Sequence, residues 1–129
     1  MKLSMNTLIS SPLFSPLHYA LKEFRYHETL PSIKELNEIL SVDDVQFVSQ
    51  SDKSDDFQSG YEPRIYLHGE IQTRENNWHD FFNALVWKQF PQSKKIINRL
   101  QFELQKQRYP TKQRLPAENM LTLFDENGA

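Results

Sequence analysis

"YEPRIYLHGEIQTR", residues 61–74, decides how the remainder of this chain is arranged. Its apolar and polar residues alternate, with Ile65 and Leu67 on one side and Arg64, Tyr66 and His68 on the other. A period of two marks a half-buried strand, and Pro63 fits at the start or edge of one. On this reading the stretch is the main strand, and its neighbours in sequence pack against it.

The stretch that follows, "ENNWHDFFNALVWKQFP" at 75–91, reads as a helix over about 77–90 that Pro91 stops. Asn77 suits the N-cap, its side-chain oxygen accepting from the Asp80 backbone N–H. Asp80 can reach back in turn, as in a capping box. Trp78, Phe81, Phe82, Leu85 and Val86 then make a broad apolar face. "QSKKIINRLQFELQKQR" at 92–108 gives a further helix capped by Ser93, with Ile96, Ile97, Leu100 and Leu104 inward and the lysines in solvent.

Upstream, "LPSIKELNEILS" at 30–41 reads as a short helix begun by Pro31 or Ser32, with Ile33, Leu36, Ile39 and Leu40 on one face. Before it, Leu17, Ala20, Leu21 and Phe24 are spaced helically from Pro16 on. "VQFVS" at 45–49 is a short β-prone run, and residues 50–60 are polar and turn-rich. Residues 1–15 read as a loosely ordered arm. At the other end, "NMLTLFDENGA" at 119–129 suggests a strand leading to an Asn127-Gly128 hairpin turn whose return strand is missing. The expectation is therefore an α+β fold, a small, mostly antiparallel sheet packed against three or four helices, with helix 77–90 at the core. One domain over 16–129, incomplete at its C-terminus, accounts for these elements.

The 129 residues fit one domain, able to bury roughly two-thirds of its unfolded surface. Aromatics make up 12%, which argues for a folded core. A net charge of −2 gives no sign of dedicated nucleic-acid binding. With no cysteine, disulfides, thiolate zinc sites and cysteine nucleophiles are excluded. Pro12 and Pro16 interrupt the N-terminal apolar stretch, and no window reaches the roughly 18 apolar residues of a membrane span. A soluble, cytoplasmic protein is expected. The phosphate-loop, dinucleotide and serine-hydrolase signatures are missing, as is H-E-x-x-H.

Candidate site residues concentrate at the start of helix 77–90. His79 and Asn83, spaced i, i+4, share a flank. His79 can serve as a general base or metal ligand, with Asp80 as its catalytic partner. Asp125 and Glu126 are the carboxylates from elsewhere that would join them around a divalent cation. Arg64 and Arg74, with Asn76 and Asn83, can instead form an anion or ligand pocket beside the helix N-terminus. Plain structural roles compete throughout. Asn77 and Asp80 cap, His79 hydrogen-bonds, and the arginines form surface pairs with Glu62, Glu70 or Glu75. Asp125 and Glu126 would lie on opposite faces of a strand, and a turn role suits both.

The block from Tyr61-Glu62 through Thr73-Arg74, Asn77-Trp78-His79-Asp80 and Phe82-Asn83-Ala84-Leu85-Val86-Trp87 to Phe90-Pro91 resembles a bacterial, mainly proteobacterial, family. With the second block, Leu121 to Glu126 and Gly128, it is similar to domain of unknown function 3025. The resemblance spans roughly residues 10–129 and implies a longer family domain of which this chain is the N-terminal part. It implies no activity. Three readings stand: a cytoplasmic protein whose polar cluster binds an anion or a partner, a metal-dependent hydrolase or nuclease-like enzyme using His79, and a structural or protein-interaction domain. On the last of these, the partner is another protein or the missing C-terminal segment.

Overall fold

The computed structural model describes residues 12–24, 27, 29–50, 56–109 and 113–127, without side chains for 12–14 and 123–127. Among these, six α-helices accompany one two-stranded sheet. Helix α1 (His18–Leu21) is short and flanked by 3₁₀ turns at Pro12–Leu17 and Lys22–Phe24. The helix buries Ala20 and Leu21 and the turn after it buries Phe24, three of the four residues expected inward, and Leu17 packs against the core. Of the arm expected over 1–15, residues 1–11 lie outside the described residues. So do residues 51–55 of the polar 50–60 stretch.

Helix α2 (Ile33–Leu40) opens on a full capping box: the Ser32 hydroxyl accepts from the Glu35 N–H, and the Glu35 carboxylate accepts from the Ser32 N–H. Leu36 and Leu40 face the core. The Asn37 amide donates to the Phe47 carbonyl and accepts from the Phe47 N–H, both at 2.8 Å. This pair pins strand β1 (Gln46–Ser49) to the helix before it.

The stretch read as one strand is a helix followed by a strand. Helix α3 (Tyr61–His68) is closed by Gly69, and strand β2 (Glu70–Thr73) follows at once. Pro63 is tolerated because it sits in the first turn, where backbone N–H groups have no helical acceptor. Gly69 takes the left-handed conformation, φ 67°, that ends a helix. Its N–H bonds the Ile65 carbonyl, and its own carbonyl accepts from Gln46 N–H at the start of β1.

The sheet corrects a second expectation. β1 and β2 run parallel, in register Gln46–Glu70 to Ser49–Thr73, where a mostly antiparallel sheet was expected. A parallel pair needs a long crossover, and α3 supplies it. Phe47 and Ile71 turn inward together.

Helix α4 (Trp78–Gln89) crosses the centre, burying Phe81, Ala84, Leu85 and Trp87. Phe81 meets Phe24 edge-on at 5.3 Å between ring centres. Pro91 ends this helix and begins the next, α5 (Pro91–Arg108), at its first position. Phe90, not Ser93, is therefore the N-cap of α5.

The face of α5 is also reversed from expectation. Lys94, Asn98, Gln101 and Phe102 are buried, while Ile96 is 51% exposed. Ile97, Leu100 and Leu104 are only half-buried. Nor is the end of the helix simply solvated. Arg108 grips both carboxylate oxygens of Glu118, at 2.9 and 2.8 Å.

The strand expected within 119–129 is instead part of helix α6 (Pro116–Asn127), packed against α5, while Gly128 of the expected turn and Ala129 lie outside the described residues. Pro116 at its start and the buried Glu118, which accepts from Leu115 N–H at 2.7 Å, are helix-start devices. No helix among the described residues is long and apolar enough to cross a membrane.

Candidate functional site

Helices α3, α4, α5 and α6 surround a cleft of about 660 Å³. One end is set by the turn before α4. Asn77 caps the helix as expected, accepting from Asp80 N–H at 2.9 Å. The Asp80 carboxylate does not reach back to the cap. It takes a fork from Arg74 instead, Nε to Oδ2 at 2.9 Å and a terminal nitrogen to Oδ1 at 3.1 Å. The Arg74 backbone N–H donates to the same carboxylate at 2.8 Å. Asn76, left-handed at φ 54°, makes the turn that permits this. It is exposed and does not line the cleft.

Partial burial alone pushes the Asp80 carboxyl up. Hydrogen bonds from the Arg74 side chain and backbone and from His79, with the guanidinium charge, outweigh it and hold the group below the usual aspartate range. The Arg74 guanidinium is correspondingly raised, chiefly by its hydrogen bonds to Asp80. His79 Nδ1 lies 3.4 Å from Asp80 Oδ1 on an exposed ring.

Asn83 is the hub of the cleft. Its amide N–H donates to the Tyr61 hydroxyl at 3.0 Å, and its carbonyl accepts from Lys94 Nζ at 2.7 Å. Lys94 is only 8% exposed, and its ammonium stands 5.7 Å from the Trp87 ring centre. Nearby, Asn98 donates to the Glu62 carboxylate at 2.7 Å and to the Glu62 carbonyl at 3.0 Å. At the far end Arg114 donates to the Glu118 carbonyl and the Thr122 hydroxyl. Among the described residues it forms no ion pair. The cleft thus has a buried cation at its base and guanidinium groups at two ends.

The structure gathers Arg74, His79, Asp80 and Asn83 around this cleft but leaves Arg64 outside it, paired with Glu70 at 2.9 Å. Asp125 and Glu126 lie near the end of α6, a helix rather than the strand expected, and their side chains fall outside the described residues. Among the described residues no three His, Asp or Glu side chains gather to hold a metal ion. Sequence reasoning missed Tyr61, Lys94, Gln101, Arg114 and Thr122. The available signal was on α5, where Lys94, Asn98, Gln101 and Gln105 repeat at helical spacing as a polar stripe.

A family model described as "Protein of unknown function (DUF3025)" matches residues 45–129. The matched segment runs from β1 to the end of the chain and holds every residue that lines the cleft. No curated protein and no solved structure shows a significant match. With well over half its length covered by the family model, and with the sequence blocks that resemble it, the chain belongs to this family of proteins of unknown function, DUF3025.

Proposed function

We propose that the cleft binds a small organic anion, and that the chain is a binding protein in which Arg114 and Lys94 supply the attraction. The observation that carries this reading is the placement of three cations, Arg74, Lys94 and Arg114, around one open volume. A buried ammonium is costly unless polar groups surround it. Here Asn83 and the Trp87 ring hold it beside the cleft. Arg74 is largely occupied by Asp80, so Arg114 is the guanidinium best placed to fork onto a ligand carboxylate. Phe82 and Val86 add apolar wall for the ligand's carbon skeleton. A cytoplasmic bacterial setting belongs to the same proposal.

The hydrolase reading has less support. Among the described residues His79 meets one carboxylate, Asp80, and that carboxylate is already forked by Arg74.

Thermal unfolding in sodium propionate, set against sodium chloride at equal ionic strength, tests the proposal. A ligand that binds only the native state must raise apparent stability with saturation. The expected outcome is a saturable rise with propionate that Arg114→Gln abolishes. No rise beyond the chloride control in the wild-type chain overturns the reading.

A further inference from the structure

A second pattern runs along α5, on a flank separate from the residues that line the cleft. Lys95, Arg99, Phe102, Lys106 and Tyr109 follow one another at steps of four and three, which puts them in one row roughly 20 Å long. The row interleaves cations with rings, and α3 and the turn at Phe57–Ser59 add further rings beside it. Tyr66 stacks on Phe102, with ring centres 4.3 Å apart at 22°. Phe57 stands 5.7 Å from Phe102 and 5.3 Å from Tyr109. Phe102 is buried beneath, but Tyr66 and Tyr109 remain 46% and 53% exposed, so both rings are open to a ligand. At one end Tyr66, His68, Lys95 and Arg99 border an open cavity of about 530 Å³.

Arg99 and Lys106 are exposed and, among the described residues, form no ion pair. Lys95 is matched by Asp44 at 3.1 Å, and Glu103 stands exposed one turn beyond Arg99. The surface is thus weakly basic on a chain of net charge −2, and long-range attraction is small. Contact has to supply the affinity. Rings alone suit a proline-rich peptide, and cations alone suit any acidic chain. Exposed rings interleaved with unmatched cations suit a polymer that presents a flat base and a phosphate at each step. We infer that this flank of α5 is a second binding site and takes single-stranded nucleic acid. Bases stack on Tyr66 and Tyr109, and phosphates meet Arg99 and Lys106. A duplex does not fit the same surface, because its bases already stack on one another.

Fluorescence anisotropy of a fluorescein-labelled oligothymidylate, titrated with the full chain at several salt concentrations, tests the inference. The expected result is a saturable rise whose log–log salt slope is about −1.4, two phosphates at about 0.7 each. Tyr109→Ala weakens binding about tenfold, the scale of one lost base stack, and leaves that slope unchanged. Tyr109→Phe, which keeps the ring, binds as the wild-type chain does. Arg99→Gln brings the slope about 0.7 closer to zero. Propionate in place of chloride at equal ionic strength changes nothing, which keeps this outcome separate from the anion reading. No saturable rise overturns the inference, and so does binding that Tyr109→Ala leaves intact. Duplex DNA of the same length, or polyglutamate, binding as tightly also overturns it, since neither offers free bases. Displacement by propionate assigns the binding to the cleft and overturns it too. Circular dichroism checks that each variant keeps its helices, and Tyr109, half-exposed just past the end of α5, is a position where loss of the ring leaves the core untouched.

Discussion

At Gly69 the backbone turns left-handed, with φ 67°, and a Cβ built there would stand 2.5 Å from the Asp44 carbonyl oxygen. Both facts select glycine, the first by conformation and the second by space. Gly69→Ala is expected to cost at least about 2 kcal/mol in urea unfolding, since left-handed strain and a backbone clash add. Asp80 sets a different kind of constraint. Its folded carboxyl lies below the ordinary aspartate value of about 3.9, so its contribution is complete above that value. The contribution is lost as pH falls through the lowered folded value, because the folded state then gains the proton last. Asp80→Asn should therefore unfold more easily at neutral pH, by about 1 kcal/mol with the exposed Arg74 side discounted. It should also lose less stability than wild type when pH is lowered. Glu35 is lowered likewise, first by its bond from the Ser32 backbone, so some acid dependence remains in the variant. Urea midpoints across acid pH measure both effects.

The elements show where sequence reasoning succeeded and where it failed. Helix α4 was readable because a cap residue, an aromatic face and a terminal proline all pointed the same way. Ser32 and Glu35 marked α2 in the same manner. The 61–74 stretch misled because Ile65 and Leu67 mimic a period of two over a span too short to separate it from a helix. The deciding marks were Pro63 in the first turn and Gly69 just past the end, the usual asymmetry of a helix. Sheet direction then followed from α3, since a helix between two adjacent strands permits a parallel pair. Helix α5 failed for another reason. Burial was assigned by residue type, but the cleft pulls its polar stripe inward and leaves Ile96 outside. Ile96→Ser is expected to change stability within about 0.5 kcal/mol, as at an ordinary surface position. Lys94→Ala should cost about 2–3 kcal/mol, because it strips the Asn83 carbonyl of its donor inside the structure. The opposite ranking in chemical denaturation would restore the apolar face of α5 to the core.

Over the whole molecule, the aromatic core of α1, α2, α4 and the sheet holds one side of α4, and its other side is given to the cleft. The part of the candidate site readable in sequence was the local part, around Arg74, His79, Asp80 and Asn83. Lys94, Gln101 and Arg114 come from later elements, and their approach depends on how α5 and α6 pack, which no local pattern encodes. The most direct measurement of the proposed binding is a ¹⁵N nuclear magnetic resonance titration with propionate, following the side-chain amides of Asn83, Asn98 and Gln101. The structure places Asn83 and Gln101 in the cleft lining and Asn98 just behind it, against Glu62. Saturable shifts at Asn83 and Gln101, larger than those of side-chain amides remote from the cleft, are the expected result. Unmoved Asn83 and Gln101 resonances at high propionate, or shifts confined to amides elsewhere, would contradict the account.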